Sequence, residues 1–362
     1  MRNVHGLAAV VLGFALVAAS AAEAAVITVT DCVNDPHIVA VVGTHVTTLD
    51  VGSDDLVLHC ALTPLAQTDH FDVSGHDVTI EKPGSASAGS ISTNSVTATG
   101  TLTVSESTVS STDTNGRLLL QAAGDVSFVD STIEVGDATH DGDLLTVTCT
   151  GTSPKCTITG TGSTLKSRHI EIEAQGDVVF SASSLLTNSP IDTITIRSDM
   201  GNVILGVNSH GGGNTDCCSV NARNDGDSVV SGNEGNLYIL AFGRIDLSGS
   251  NIVVAEDICG RSGVDDVPAL SRSDACGPCP GAGAMATVPA DIDLSTASIR
   301  NDIGKPGDIV FCADETRATI DIDQSLLIDD DVNGPDLSEL NGCATKPRSG
   351  CPNVTGTPNV DS

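Results

Sequence analysis

The amino-acid sequence predicts an all-β solenoid whose coils are 24 or 25 residues long. The first observation is a repeated segment, AAGDVSFVDSTIEV at residues 122–135 and AQGDVVFSASSLLT at residues 174–187. The second is that apolar and polar residues alternate in short runs, as in strands with one buried face. The third is that helical periodicity is absent after the first 24 residues, where Val, Ile, Thr and Ser dominate.

The repeat keeps one register in all its copies. Counted from Gly124, positions +2, +4 and +9 are apolar and position +7 is Ser. We call the residue from which each copy is counted its origin. Because a further alternating run precedes each origin, we expect three strands per coil and an internal ladder of Ser hydroxyls from coil to coil. The clear copies start at Gly100, Gly124, Gly176 and Gly243, and the poorer ones at Cys156, Gly201, Ala290 and Ala318.

This pattern, G-x-h-x-h-x-x-S-x-h with h apolar, resembles the right-handed parallel β-helix of pectate-lyase-like proteins and filamentous-haemagglutinin-type adhesins. The resemblance extends from about Ser74 to Asp330 and implies a rod of stacked coils. The alternative is one β-sandwich or a pair of them, against which the single register argues. Since the fold hosts unrelated activities, the resemblance concerns architecture and not function.

The chain divides into four segments. Residues 1–24 are a predicted signal peptide, with an apolar run from Leu7 to Ala19 and a small-x-small cleavage site ending at Ala24. Residues 25–73 are assigned to an N-terminal cap and the first coils, 74–330 to the β-helix, and 331–362 to a C-terminal cap and tail. We expect a secreted protein, extracellular or at the cell surface, with the periplasm as the other compartment, and no transmembrane segment.

The 12 Cys all lie after the predicted signal peptide, and their even number in an exported chain indicates disulfides. The predicted pairs are Cys149–Cys156 and Cys343–Cys351, which each bracket a short turn, and Cys32–Cys60. The other six have no predicted partner: Cys217, Cys218, Cys259, Cys276, Cys279 and Cys312.

The composition excludes some partners. A formal net charge of −31 repels nucleic acid and anionic membranes and favours divalent cations. There is no Trp, one Tyr and six Phe, which lowers the expectation of a glycan-processing cleft lined with aromatic side chains.

Two coils are enlarged, and their extra residues form the candidate binding site. The origins at 201 and 243 are 42 residues apart, and those at 243 and 290 are 47 apart. The additional residues are predicted to follow the third strand of each coil and to form one disulfide-tied loop face. The alternative is surface decoration without a function. The candidate binding residues are His210, Asn214, Asp216, Arg261, Asp265 and Asp266.

Catalytic motifs occur only in scrambled form. Polysaccharide hydrolases of this fold carry Asn-Thr-Asp, Asp-Asp, Ser/Gly-His-Gly and Arg-Ile-Lys in that order. Here Ser-His-Gly at 209–211 precedes Asn-Thr-Asp at 214–216, and Arg-Ile at 244–245 is followed by Asp. A calcium-dependent lyase would need an acidic cluster beside an arginine base. No such cluster accompanies Arg168, Arg197 or Arg244 in the sequence.

Calcium is the cofactor that the sequence suggests. Asp329, Asp331 and Asn333, followed by Gly334, have the spacing of the first half of an EF-hand loop, but Leu340 stands where its last acidic ligand belongs. A solvated acidic turn is the alternative. Five His between residues 37 and 76 are a candidate zinc or copper region, with scattered surface His as the alternative.

These observations favour a non-enzymatic exported structural, surface or adhesion protein with a disulfide-tied loop face. Its expected partners are acidic or neutral glycans or other surface proteins, and self-assembly into a filament or coat is a further hypothesis. The alternative is a polysaccharide-active enzyme, a lyase or glycoside hydrolase, on the same fold.

Overall fold

The structure is a computed structural model that describes residues 24–30, 35–41, 46–59, 70–82, 89–111, 116–135, 143–186, 193–206, 219–222, 235–254, 257–263, 267, 291–300, 309–313, 319–323, 326–328 and 353–355. These residues form 32 β-strands and no α-helix.

The first eleven strands are β1 Val26–Val29, β2 Ile38–Val41, β3 Val46–Asp50, β4 Asp55–Leu58, β5 His70–Gly75, β6 Val78–Glu81, β7 Gly89–Ser92, β8 Ser95–Ala98, β9 Leu102–Ser105, β10 Ser107–Ser111 and β11 Arg117–Ala122. The next eleven are β12 Val126–Val129, β13 Thr132–Val135, β14 Leu144–Cys149, β15 Ile158–Thr161, β16 Thr164–Lys166, β17 His169–Ala174, β18 Val178–Ser181, β19 Ser184–Leu186, β20 Thr193–Ser198, β21 Val203–Ile204 and β22 Ser219–Ala222. The last ten are β23 Asn236–Ala241, β24 Ile245–Asp246, β25 Asn251–Val254, β26 Ile258–Ser262, β27 Ile292–Asp293, β28 Ser298–Arg300, β29 Ile309–Ala313, β30 Thr319–Asp321, β31 Leu326–Ile328 and β32 Asn353–Thr355.

The strands form three long sheets. Sheet 1 has the order β1-β4-β6-β9-β12-β15-β18-β21-β24-β27-β30-β32, sheet 2 the order β7-β10-β13-β16-β19-β22-β25-β28-β31, and sheet 3 the order β2-β3-β5-β8-β11-β14-β17-β20-β23-β26-β29. From β6 to β31 the chain visits sheets 1, 2 and 3 in rotation, and we call each such circuit a coil. Neighbouring strands are parallel, except that β2 and β3 are antiparallel. The all-β, parallel part of the prediction is therefore confirmed.

The predicted register is confirmed at its apolar positions. Val126, at +2, lies opposite Leu102 in the preceding coil and Ile158 in the next. Ile133, at +9, lies likewise opposite Val109 and Leu165. These six side chains are fully buried in one continuous core that all three sheets line.

The predicted Ser ladder also forms, although it joins hydroxyl groups to the backbone. The N–H groups of Ser107, Ser131 and Ser163 donate to the Oγ atoms of Ser131, Ser163 and Ser183 at 3.3, 3.1 and 3.2 Å. Each hydroxyl donates to a carbonyl of its own coil, as Ser131 does to Val129 at 2.7 Å. The ladder thus satisfies buried backbone N–H groups at the corner between sheets 1 and 2.

The prediction that both sets of additional residues directly follow the third strand, meaning the strand that carries position +9, is wrong. In the first enlarged coil they lie on both sides of β22, at 207–218 and 223–234. The reason is that His210 stands at +9, where an apolar residue is needed, and Val220 takes that register position instead. In the second, residues 264–290 follow the sheet 3 strand β26. The two sets therefore leave the coils at different corners.

One predicted disulfide is confirmed. Cys149 and Cys156 are bonded, with their Cα atoms 5.9 Å apart, and they close the turn between β14 and β15. Cys259 and Cys312, on neighbouring strands of sheet 3, each take part in a further disulfide. The other predicted pairs involve residues outside the described part of the chain and stay predictions: Cys32, Cys60, Cys343 and Cys351.

Candidate functional site

The outer surface of sheet 3 is the candidate binding face, because Val267, one of the additional residues of the second enlarged coil, packs against it. We define the outer face of sheet 3 by the solvent-side positions of β17, β20, β23, β26 and β29. Their register brings two columns of side chains together on this face. One column is Glu171, Thr195, Tyr238, Cys259 and Val310, and the other is Glu173, Arg197, Leu240, Arg261 and Cys312.

Arg197 fixes one of the additional residues of the second enlarged coil to this face. Its Nη2 donates to the backbone carbonyl of Val267 at 2.5 Å, and its Nη1 lies 3.1 Å from Glu173 Oε1. The Arg197 side chain is 18% exposed. The guanidinium therefore connects a strand of sheet 3 with a residue 70 positions later in the chain.

A small apolar cluster lies beneath that loop residue. Leu240 and Cys259 occupy outward positions of β23 and β26, yet both are buried, because Val267 packs against them. Tyr238, the only Tyr in the chain, is half-buried at the edge of this cluster. The cluster is separate from the main core and accounts for apolar residues at positions that carry Thr on β14 and Glu on β17.

Of the predicted binding residues, the structure places one. Arg261 is half-buried on the outer face of sheet 3, opposite Leu240 and Cys312. Leu240 lies between Arg261 and Arg197 in the same column. The two arginines are therefore two strand spacings apart, roughly 9–10 Å. The remaining five lie outside the described residues: His210, Asn214, Asp216, Asp265 and Asp266.

The arginines considered as lyase bases have other roles. Arg197 pairs with Glu173 and a backbone carbonyl, and Arg244 Nη2 lies 3.1 Å from Asp246 Oδ2. Arg168 is buried. None of these three side chains stands alone at the surface as a general base would.

A ladder of Asp and Asn side chains along sheet 1 was missed from the sequence. Asp125 Oδ1 accepts the backbone N–H of Thr157 at 2.7 Å, and Asp177 Oδ1 accepts that of Asn202 at 2.7 Å. Asn202 Oδ1 in turn accepts the N–H of Arg244 at 2.9 Å. All these residues occupy position +1 of the repeat, directly before a sheet 1 strand. The signal was present in the GDV segments of both opening copies.

At the N-terminal end this ladder meets a histidine. His76 Nδ1 lies 2.9 Å from Asp55 Oδ1 and 3.9 Å from Asp77 Oδ1. One ligand atom from each of the three residues lies within 4.8 Å of the others, the only such group of three among the residues that the structure describes. The hydrogen bond from His76 lowers the pKa of the Asp55 carboxyl, and the Asp77 backbone N–H adds to this effect. The same hydrogen bond to Asp55 raises the pKa of His76.

Two other histidines of the predicted metal-binding region pair with carboxylates. His37 Nδ1 lies 2.8 Å from Asp35 Oδ1, and His59 pairs with Glu81. No further carboxylate or thiol joins either pair closely enough to complete a group of three within the described residues. The predicted calcium ligands lie outside the described residues: Asp329, Asp331 and Asn333.

Comparison with protein-family models, with curated proteins and with solved structures finds no match to this chain. Within the described ranges, no helix is long and apolar enough to cross a membrane.

Proposed function

We propose that this chain is a non-enzymatic exported protein with a structural, surface or adhesion role, built as a right-handed parallel β-helix. Its working surface is the outer face of sheet 3. The three parallel sheets visited in rotation support the solenoid. Right-handedness is the sense that parallel crossover connections almost always take.

The observation that carries the proposal is the use of the polar side chains. In the described coils, the +1 Asp and Asn residues and the +7 Ser residues bind the backbone of neighbouring coils. They therefore hold the coils together. A hydrolase needs carboxylates that converge on a bond to be cleaved, and a lyase needs an accessible base. This distribution favours a rigid scaffold over either enzyme.

Arg261 favours an anionic partner. The chain has only 16 Lys and Arg residues against 47 Asp and Glu, and Arg261 shares its column with Arg197, whose charge Glu173 already offsets. The half-buried Tyr238 beside them offers an aromatic surface. An acidic glycan fits this combination, because guanidinium groups bind carboxylates with two hydrogen bonds and aromatic rings stack on sugars.

The test measures binding and turnover together. Oxidised protein without residues 1–24 is titrated with acidic and neutral oligosaccharides, while release of unsaturated or reducing sugars is followed. We expect binding of an acidic oligosaccharide that weakens at least tenfold in Arg261→Glu. Arg117→Glu is the matched control, because it makes the same charge change at an exposed position at the start of β11.

Release of unsaturated sugars from an acidic polysaccharide would instead make the chain a lyase. Equally weakened oligosaccharide binding in Arg261→Glu and Arg117→Glu would refute the outer face of sheet 3 as the binding surface. The change in net charge would then explain the loss of affinity in both variants. Light scattering after size-exclusion chromatography separates a third outcome, self-assembly into a coat or filament.

A further inference from the structure

We propose that Asp55, His76 and Asp77 form a binding site for a divalent transition-metal ion of the zinc class, near the N-terminal end of sheet 1. The site is independent of the proposed glycan-binding role, because it involves a different sheet and different residues. Its ligands would be His76 Nδ1 and one carboxylate oxygen from each Asp.

The distances between the ligand atoms suit a small cation. Zinc bonds of about 2.0–2.1 Å in tetrahedral geometry place neighbouring ligand atoms roughly 3.3–3.4 Å apart. The two distances from His76 Nδ1 to the carboxylate oxygens, 2.9 and 3.9 Å, bracket this value. A small side-chain rotation would equalise them. The fourth position would face solvent, because the His76 and Asp77 side chains are 46% and 41% exposed.

The backbone of neighbouring coils already orients both carboxylates. Asp77 Oδ1 accepts hydrogen bonds from the backbone N–H and the hydroxyl of Thr101, at 2.6 and 3.0 Å. Asp55 Oδ1 accepts the backbone N–H of Asp77 at 3.2 Å. Hydrogen bonds of this kind hold metal ligands in position, so that less side-chain entropy is lost when the ion binds.

His76 departs from the rest of the repeat. It occupies the origin position, where the other coils carry Gly, Ala or Cys. At Gly100, the same position in the next coil, an added Cβ would lie 3.2 Å from both His76 Cε1 and Asp77 Cγ. The next coil therefore leaves room for the imidazole and the carboxylate together. The ladder itself needs only the +1 residue, so it does not explain an imidazole at the origin.

The donor set selects the class of ion. One imidazole nitrogen with two carboxylate oxygens suits zinc and its neighbours in the first transition row, whereas calcium takes six to eight oxygen ligands. The net charge of −31 raises the local concentration of any divalent cation without selecting one. Selectivity therefore comes from the imidazole.

The test is isothermal titration of the oxidised protein without residues 1–24 with zinc chloride, with and without excess calcium. We expect zinc binding that calcium does not displace, and at least a tenfold loss of affinity at one site in both His76→Gln and Asp77→Asn. Asp77→Asn keeps the ladder hydrogen bonds, as Asn202 does at the same repeat position. It therefore separates loss of a ligand from loss of folding.

His59→Gln is the matched control, because it removes another histidine that pairs with one carboxylate but belongs to no group of three. Its zinc binding is expected to equal that of the unmodified protein. A loss in His59→Gln as large as in His76→Gln would mean that the histidines of this region bind zinc non-specifically, and would overturn the proposal. So would unchanged zinc affinity in Asp77→Asn, or no zinc binding at all.

Discussion

Replacing Gly260 by Ala is expected to destabilise the coils, because a phenylalanine ring occupies the space where the new methyl group would go. Gly260 faces the core from β26, opposite Phe311 in the next coil. An added Cβ would lie 2.5 and 2.6 Å from Cδ1 and Cε1 of that ring and 3.5 Å from Cδ1 of Ile245. Since carbon atoms in contact are about 3.5–4.0 Å apart, the ring must retreat by about 1 Å.

The retreat is costly because Phe311 and Ile245 are both fully buried. Overpacking of this kind costs about 1–3 kcal/mol. Removing a glycine from a strand recovers about 0.5–1 kcal/mol by restricting the unfolded chain. Taken at the middle of both ranges, the expected net loss in the free energy of unfolding is about 1 kcal/mol.

The assay is urea unfolding of the oxidised protein, followed by circular dichroism. Gly260→Ala should lower the midpoint, and Phe311→Leu in the same chain should restore part of the loss, giving a coupling of about 0.5–3 kcal/mol. Gly160→Ala is an independent repetition, because the ring of the fully buried Phe180 covers Gly160 in the same manner. A midpoint that stays the same or rises in both Ala variants would refute the reasoning.

Four further outcomes are expected. Ser131→Ala leaves the buried N–H of Ser107 without its acceptor and should cost about 1–3 kcal/mol in urea unfolding. Asp125→Ala removes an exposed ladder acceptor and should cost about 1 kcal/mol in the same assay. In metal-free buffer, His76→Gln should destabilise the protein more at pH 5 than at pH 8, because the pair with Asp55 contributes between roughly pH 4 and 6.5. Millimolar calcium should raise the melting temperature over that in chelator if the half EF-hand motif binds it.

The sign of the pH effect follows from both partners. A raised pKa at His76 gives stability that is present at low pH and is lost as pH rises through it, whereas a lowered pKa at Asp55 gives stability that is lost on acidification. The overlap lies between the ordinary pKa values of the two groups. Both side chains are partly exposed to solvent, so the effect is expected to be small.

Each of these predictions has a comparison that would contradict it. Ser127→Ala, on the outer side of sheet 1, should be nearly neutral, and a loss as large as in Ser131→Ala would remove the special role of the buried ladder. Asp125→Asn keeps the acceptor and should retain most of the stability. A His76→Gln effect that does not depend on pH would exclude the ion pair as its cause. An unchanged melting temperature would exclude the predicted calcium site.

The sequence by itself determined the architecture of the coils, because burial repeats with the strand period. An inward position such as that of Val126 needs an apolar residue in every coil, and the position of Ser131 needs a hydroxyl that accepts a buried N–H at the corner. Both columns can therefore be recognised in the sequence. The Cys149–Cys156 bond was equally accessible, since seven positions of separation across one turn leave few alternatives.

The tertiary structure alone decided where the chemistry lies. Arg197 meets Val267 across 70 residues, and His76 meets Asp55 across 21, and neither distance in sequence carries a signal. The same is true of the enlarged coils: Val220 pairs with Leu185 at the register position where the repeat would place His210, and only the pairing of strands shows it. Local periodicity specifies which side chains face the core. Which outward side chains meet depends on how many residues each coil inserts, and that number follows no period.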